Sequence, residues 1–280
     1  MIDIELDMTE EEYHNHPSLS ASIIKRLVVN DETYEVANGI KTEPTPAMEL
    51  GTLVHCLILE PEKFSETYAV MPKCDLRTKE GKLLKAEFEL KSNGKKVVSE
   101  TDFETAMKCA ESFKKNTVSN LLKRGKPEQK FFSEFDGVEV RGMLDWYDEE
   151  SGMIVDLKTT QNFADMFVKE CGDRLYNIQA SFYVDLLTSL GKNVSDFVFV
   201  GVQTKAPYKI TVVRLNPIDI EDGREAYKVG IDIWKDIKEN PTKYNKELCI
   251  NPADGGMVFD YTTPMWVRYK LDKLKRINNG

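Results

Sequence analysis

The chain has 280 residues, of which 41% are hydrophobic and 30% charged, and its formal net charge is −9 at neutral pH. This composition is that of an ordinary globular protein, long enough to bury a sizeable core in one elaborated domain or two. It excludes a membrane-spanning helix, for which no apolar run is long enough, and it argues against a basic protein that coats DNA indiscriminately.

The N-terminus and the cysteines indicate a reducing compartment. The opening stretch, MIDIELDMTEEEYHNHP, is acidic and lacks the basic and apolar regions of a signal peptide. We therefore expect a cytoplasmic protein. The 5 cysteines are widely spaced and form no CxxC pair, which argues against zinc and iron–sulfur sites and predicts reduced thiols.

Two helices are predicted in the first part of the chain. One begins in PSLSASIIKRL (17–27), where Ser18 or Ser20 is the expected cap before an apolar run. A polar loop with two prolines follows over 30–46. The segment AMELGTLVHCLILEP (47–61) is apolar nearly all round and bounded by prolines, so it predicts a buried helix.

The next segment, 62–126, is rich in charge and is predicted to be an inserted, partly helical region with a helix near 100–122. Residues 71–130 hold 15 Lys/Arg and 9 Asp/Glu, a net charge of +6 in an acidic chain. Such a basic segment either faces phosphate or forms a solvated helix pair. The sequence leaves both interpretations open.

The middle of the chain predicts three strands in a meander. EQKFFSEF (128–135) leads through Asp136 and Gly137, a hairpin signal, into VEVRGMLDWYD (138–148). A second short turn then leads into MIVDLKTT (153–160).

Helices and strands alternate after the meander. In chain order the predicted elements are helices at 161–170 and 173–190, strands at 196–204 and 208–215, a helix at 217–239 and a last helix after Pro264. This order predicts an α/β core.

The third meander strand carries a pair of charges. Because strands alternate, Asp156 and Lys158 share one face, and Val155 and Leu157 lie on the other. The pair is either a solvated edge with a weak ion pair or a metal-binding carboxylate with a charged partner in a cleft. Asp145 lies near the end of the preceding strand, about 5 Å away for antiparallel neighbours, so both carboxylates can reach one point.

Two converging carboxylates are costly to bury unless a cation neutralises them. Mg²⁺ takes oxygen ligands and keeps several waters, so Asp145, Asp156 and a backbone carbonyl suit it. Lys158 is placed to orient or help deprotonate a metal-activated water and to stabilise charge on a phosphate. The alternative for Asp145 alone is an ordinary polar residue at a strand end.

His55 lies in the middle of the apolar helix and is either a hydrogen-bonded core residue or a metal ligand. Gly51, four residues earlier on the same face, indicates that something approaches closely there. Imidazole would extend the tolerance of the site toward Mn²⁺.

Three polar residues lie beside the packing stripe of the helix at 173–190. Tyr176, Gln179 and Tyr183 are either boundary residues or groups that face the cleft. In the cleft they would hold a phosphate, a water or a stacked base.

The motifs GTLVHCLILEP, EQKFF…GMLDW, IVDLKTT and YNIQASFY together resemble the PD-(D/E)xK nuclease superfamily, and within it the RecE-like exonucleases (exonuclease VIII) of phages and prophages. The similarity spans roughly 13–270 and includes SLSAS, FVFVGVQT and PMWV. It implies a restriction-endonuclease-like core, with a mixed central sheet flanked by helices. It also implies a single nuclease domain over 1–280 that carries the Lys-rich insertion at 62–126.

The resemblance also assigns roles to individual residues. The implied metal ligands are His55, Asp145, Asp156 and the backbone carbonyl of Leu157; the implied catalytic residues are Lys158, Asp156, Asp145, Gln179 and Tyr183; further candidates are Glu128 and Tyr176. Gln179 and Tyr183 match a Q-x3-Y motif beside the active site, and Glu128 matches a glutamate before the first meander strand. The third strand has Asp-Leu-Lys in place of Glu-x-Lys, which the superfamily tolerates.

The implied activity is Mg²⁺-dependent 5′→3′ degradation of linear duplex DNA, with Mn²⁺ tolerated, leaving 3′ single-stranded tails. Implied partners are DNA ends, a RecT-type single-strand annealing protein and further copies of the chain in a ring, in the cytoplasm of a bacterium carrying the phage or prophage. Two alternatives stay open. One is a single-strand-specific or endonucleolytic nuclease, and the other is a catalytically silent DNA-binding protein on the same fold.

Overall fold

A computed structural model describes residues 8–29, 43–75 and 77–240 of the chain. Most of the predicted loop at 30–46, the last helix expected after Pro264 and the PMWV segment lie outside these residues.

Eight strands form two sheets within the described residues. In chain order the strands are β1 (Leu19–Ser20), β2 (Tyr68–Met71), β3 (Lys96–Ser99), β4 (Lys126–Phe135), β5 (Val138–Asp148), β6 (Met153–Thr160), β7 (Asp196–Gln203) and β8 (Ile210–Arg214). The main sheet has the order β1–β5–β6–β7–β8. Strand β5 has β1 and β6 along one of its edges and β4 along the other. The sheet is mixed, because β5–β6 and β7–β8 are antiparallel whereas β1–β5 and β6–β7 are parallel.

The helices pack on both faces of the main sheet. They are α1 (Glu10–Asn15), α2 (Ala21–Val29), α3 (Pro46–Leu59), α4 (Phe64–Thr67), α5 (Lys79–Lys91), α6 (Glu100–Lys115), α7 (Asp165–Asp173), α8 (Tyr176–Ser189) and α9 (Pro217–Glu239), with 3₁₀ turns at Pro61–Lys63 and Thr117–Leu122. None of the helices in the described part of the chain has both the length and the apolar character that crossing a membrane requires.

Local sequence fixes several boundaries of these elements. Thr45 caps α3 by accepting a hydrogen bond from Met48, and Asn216 caps α9, in each case directly before a proline in the first turn. Asp136 and Gly137 both have positive φ, at 49° and 79°, which is the conformation of a tight hairpin turn between β4 and β5.

Two hydrophobic cores lie on opposite faces of the main sheet, because side chains alternate along its strands. Phe197 and Phe199 of β7 pack with α2, α8 and α9, and we name this cluster the α8 core. Val198 and Val200, on the other face, pack with α3 and α6 in the α3 core. The core residues are therefore divided between two layers of helices.

The predicted mixed sheet flanked by helices is confirmed, and the strands of the meander lie close to their predicted positions. Three details differ. The helix expected from 173 begins at Tyr176, because Leu175 has a φ of +50° that interrupts the helical path. The helix α3 is not buried all round, since Met48 is 56% exposed. The parallel pair β2–β3 within the insertion was not predicted, because strands of four residues are too short to show a reliable alternation.

The close contact between α9 and α8 gives a test of the fold. A Cβ at Gly223 would clash with the carbonyl oxygen of Asn177 and the hydroxyl of Ser181. We expect Gly223→Ala to lower the free energy of unfolding by about 1–3 kcal/mol, because the two helices must move apart.

The matched control is Gly172→Ala in α7, where an added Cβ meets nothing within 4 Å. This substitution should be neutral or stabilise the protein by up to about 1 kcal/mol, as alanine does in a helix. Urea unfolding of both variants measures the difference, and equal stabilities would contradict the packing described for α8 and α9.

Candidate active site

Three acidic residues lie at one level of the main sheet, on the neighbouring strands β4, β5 and β6. The register places Glu128 opposite Asp145 and, extended by one residue, Asp145 opposite Asp156. Neither pair belongs to a hydrogen-bond ladder. The ladder between β4 and β5 skips Glu128, and the ladder between β5 and β6 ends at Trp146 and Val155. The strands β5 and β6 therefore separate where the acids lie.

The interruption of the ladder is built into the backbone. Glu128 has a φ of +49°, a conformation that costs a non-glycine residue on the order of 1–3 kcal/mol. The side-chain amide of Gln129 donates to the carbonyl of Tyr147 at 2.8 Å. The backbone N–H of Leu157 donates to Oδ2 of Asp145 at 2.7 Å. Side chains thus make hydrogen bonds that backbone groups make in a regular ladder.

The facing of side chains along β5 changes at the same place. Leu144 and Tyr147, three residues apart, both lie in the α8 core, whereas Trp146 lies in the α3 core. Regular alternation would place residues three apart on opposite faces. Asp145 lies at this change, so it is next to elements from both faces of the sheet.

Helix α3 brings His55 to the acids because Gly51 allows a close approach. A Cβ at Gly51 would lie 3.0 Å from Oγ1 of Thr159 on β6, and the predicted close approach at this glycine is confirmed. One turn later, Nδ1 of His55 lies 3.7 Å from Oδ2 of Asp145. The backbone of Leu157 lies beside the ring and opposes the lowering of the pKa of His55.

The side chains of His55, Glu128 and Asp145 form a group of possible metal ligands. One ligand atom from each lies within 4.8 Å of the other two. Oδ1 of Asp156 is a further possible ligand atom, because it is buried and its partner within the described residues is the ammonium of Lys158. An imidazole nitrogen and three carboxylates fit a divalent cation bound mainly through oxygen.

Asp156 and Lys158 project toward α8, as the alternation predicted. Asp156 is 1% exposed, which excludes the interpretation of a solvated edge. The ammonium of Lys158 contacts Oδ1 of Asp156, and the amide of Gln179 donates to Oδ2 at 2.7 Å. Tyr183 is buried one turn beyond Gln179 on the same helix, next to the Gln179 side chain.

Burial and mutual repulsion shift the pKa values in this cluster. Burial, with repulsion from Asp145, raises the pKa of Glu128 to about 8. Burial also raises the pKa of Asp156 to about 6, although Lys158 opposes the shift. Burial lowers the pKa of His55 to about 4, so its ring is neutral at pH 7 and able to act as a ligand. Burial alone would lower the pKa of Lys158, but attraction by Asp156 and Asp145 outweighs it and raises the pKa.

The cluster opens into a cleft of about 720 Å³ that carries charges of both signs. The cations Lys63 and Lys96 border it from the Lys-rich insertion, and Arg174 and Tyr176 border it from the start of α8. The cleft therefore combines an acidic floor with basic side chains at its border, an arrangement suited to a cation and a phosphate together.

The structure places the residues predicted for the site in three groups. His55, Glu128, Asp145 and Leu157 lie together; Asp156, Lys158 and Gln179 adjoin them; Tyr176 lines the cleft, and Tyr183 lies behind Gln179. The compact set of possible ligands includes Glu128, a further candidate in the sequence analysis, and the predicted ligand Asp156 lies beside this set in contact with Lys158.

Sequence reasoning missed two cations beside the site. Nζ of Lys25 lies 5.2 Å from the centroid of the Tyr176 ring, and Arg174 lines the cleft. Lys25 belongs to the SLSASIIKRL segment, whose apolar spacing predicts a helix but does not show which structure its charged residues face. Arg174 has no signal in the sequence, because its position depends on how α7 and α8 meet.

Comparison with known proteins agrees with this geometry. Residues 20–249 match the model of a family described as a PDDEXK-like domain of unknown function (DUF3799). No curated protein matches the sequence. The crystal structure of a candidate exonuclease from Eubacterium rectale is similar in fold, with a TM-score of 0.60 and 16% identity over 94% of this chain and 98% of that chain. A phage-related exonuclease from Haemophilus somnus 129PT has a TM-score of 0.36 and 15% identity over 82% of this chain and 99% of that chain.

The raised pKa of Glu128 gives a pH test of the cluster. A carboxyl group whose pKa is higher in the folded than in the unfolded state contributes stability at low pH, and that contribution is lost as the pH rises through the folded value. We expect the free energy of unfolding of the metal-free protein to fall as the pH rises from 6.5 to about 8. The folded pKa of His55 lies below its ordinary value of 6.5, so the unfolded chain still binds some of this proton at the start of the range, and the opposing contribution of His55 fades as the pH rises further.

Glu128→Gln should flatten this pH dependence, whereas Glu134→Gln, at an exposed position of the same strand, should not. Urea unfolding in EDTA at several pH values measures the slope. The same slope in the Glu128 variant and the parent protein would show that Glu128 does not hold its proton in this cluster.

Proposed function

The chain belongs to the family of PDDEXK-like domains of unknown function (DUF3799), and from this premise we propose that it is a metal-dependent DNA nuclease. The specific activity we propose is Mg²⁺-dependent 5′→3′ exonuclease digestion of duplex DNA. The observation that carries the proposal is the convergence of Glu128, Asp145 and Asp156 on three neighbouring strands, with Lys158 in contact with Asp156. A cluster of carboxylates with one ammonium suits hydrolysis of a phosphodiester.

The chain offers ligands for the cation that such chemistry needs. Glu128, Asp145 and His55 would hold it, with Asp156 and the carbonyl of Leu157 as neighbouring oxygen donors. A bound divalent cation makes a water molecule nucleophilic at neutral pH and offsets negative charge on a phosphate. Mg²⁺ suits the oxygen donors, and the imidazole extends tolerance to Mn²⁺.

The protein's own residues supply the rest of the reaction. The ammonium of Lys158, fixed by Asp156, can donate a hydrogen bond to a phosphate oxygen or orient an attacking water. Gln179 holds the other oxygen of Asp156, which keeps that carboxylate in one orientation. The neutral ring of His55 leaves a lone pair free for the cation.

The choice of substrate rests on the resemblance to RecE-like exonucleases and on charge. The structure similar in fold from Eubacterium rectale is named a candidate exonuclease. The Lys-rich insertion borders the cleft with Lys63 and Lys96, which favours its facing phosphate. Resection from 5′ ends would leave 3′ tails for a RecT-type annealing protein, and several copies of the chain would assemble around the duplex.

Removal of the lysine tests the catalytic assignment. Lys158→Ala should lower kcat for DNA cleavage on the order of 10²- to 10⁴-fold, because the phosphate loses its charged hydrogen-bond donor. Asp156→Ala should abolish cleavage. The control is Lys228→Ala, an exposed lysine on α9. Circular dichroism establishes that the variants fold, and a folded Lys158 or Asp156 variant with parental activity would refute the assignment.

Labelled DNA tests the polarity of digestion. Linear duplex labelled at a single 5′ or 3′ end is incubated with Mg²⁺, Mn²⁺ or EDTA. We expect early loss of the 5′ label, accumulation of 3′ tails and no digestion in EDTA.

A covalently closed duplex circle and a single strand separate the remaining alternatives. The proposed exonuclease leaves the circle intact. Cutting of the circle indicates an endonuclease, exclusive digestion of the single strand indicates a single-strand-specific enzyme, and binding without any cleavage indicates a silent DNA-binding protein.

A further inference from the structure

Two lysine side chains lie against the same aromatic ring at the border of the site. Nζ of Lys25, from α2, and Nζ of Lys158, from β6, each lie 5.2 Å from the centroid of the Tyr176 ring. The two ammonium groups are therefore separated by no more than twice that distance. Like charges this close repel each other, so their arrangement requires either a compensating anion or strong support from the fold.

The neighbouring cations have carboxylate partners, and Lys25 does not. Lys158 contacts Asp156, and Arg174 forms an ion pair with Glu170 at 2.8 Å. Across the described ranges of the chain, no carboxylate oxygen lies within salt-bridge distance of Lys25 Nζ. Burial and the repulsion of Lys158 lower the pKa of Lys25, and the attraction of Asp156 offsets them only in part. Lys25 thus contributes an uncompensated positive charge beside the cleft.

The backbone that carries Lys25 is firmly held. Ile24 is fully buried, and Gly230 of α9 lies so close to it that a Cβ there would be 2.7 Å from Cγ2 of Ile24. The start of α2 is fixed by the pairing of β1 with β5. The guanidinium of Arg141 on β5 also donates to the carbonyl oxygens of His16 and Ser18 just before β1. A solvated lysine needs no such support, so the position of this charge is a property of the fold.

We propose, resting on the proposed nuclease function, that Lys25 forms a second phosphate-binding position in the cleft. It binds the backbone phosphate next to the phosphate that Lys158 contacts, and both positions adjoin the Tyr176 ring. The guanidinium of Arg174, held by Glu170, lies at the same border of the cleft. Two cations held against one ring would set the register of the DNA strand relative to the acidic cluster.

Binding measured without cleavage tests this role separately from catalysis. Fluorescence anisotropy with an internally labelled duplex in EDTA compares the parent with Lys25→Gln and Lys25→Met, of which the second keeps the aliphatic stem. We expect each variant to bind on the order of tenfold more weakly at low salt. The slope of log K against log salt should be smaller by about one. Lys25→Arg should retain most of the affinity.

The control Lys228→Gln removes the same charge from an exposed position of α9 and should bind like the parent. Unchanged affinity and salt slope in both folded Lys25 variants would overturn the proposal while leaving the nuclease function intact. A parent protein that binds no DNA would refute both. In Mg²⁺, Lys25→Gln should raise KM with little change in kcat, in contrast to the loss of kcat expected for Lys158→Ala.

The source of the phosphate is tested with three duplex ends. The same loss of affinity on a duplex with 5′-phosphate ends, 5′-hydroxyl ends or hairpin-closed ends supports an internal backbone phosphate. A loss confined to the duplex with 5′-phosphate ends would overturn the internal position and assign Lys25 to the terminal phosphate.

Discussion

The interruption of the hydrogen-bond ladder across β4, β5 and β6 is the constraint on which the site depends. A regular sheet would pair the backbones at Glu128, Asp145 and Asp156 and hold all three side chains on one face. Here the strands separate at that level, and a left-handed residue at Glu128 interrupts the pairing of β4 with β5 without shifting its register. The fold tolerates this local strain because pairing resumes on both sides of Glu128.

The separation lets helices from opposite faces meet at one point. His55 arrives from α3 through the close approach at Gly51, whereas Gln179 arrives from α8 on the other face and holds Asp156. Each helix is anchored in its own hydrophobic core. The site therefore lies at the boundary between two cores, and its geometry depends on the packing of both.

Much of this organisation was predictable from the sequence, for identifiable reasons. The alternation of IVDLKTT placed Asp156 and Lys158 on one face, and the short turn between two strands placed Asp145 nearby. The separation of the strands was not predictable, because the φ of Glu128 depends on tertiary contacts and a glutamate carries no local signal for it. For the same reason the charge of Lys25 beside Tyr176 becomes apparent only when α2 and α8 are placed together.

The two-stranded sheet β2–β3 has a consequence for the diversification of such proteins. It is a separate sheet that pairs with no strand of the main sheet, so its two strands do not set the register of β4, β5 and β6. Mutations that recharge β2 and β3 can alter the border of the cleft while the acids keep their places, whereas α6 of the same insertion is constrained by its packing in the α3 core. Descendants of one ancestral chain can therefore acquire different preferences for nucleic acid without rebuilding their chemistry.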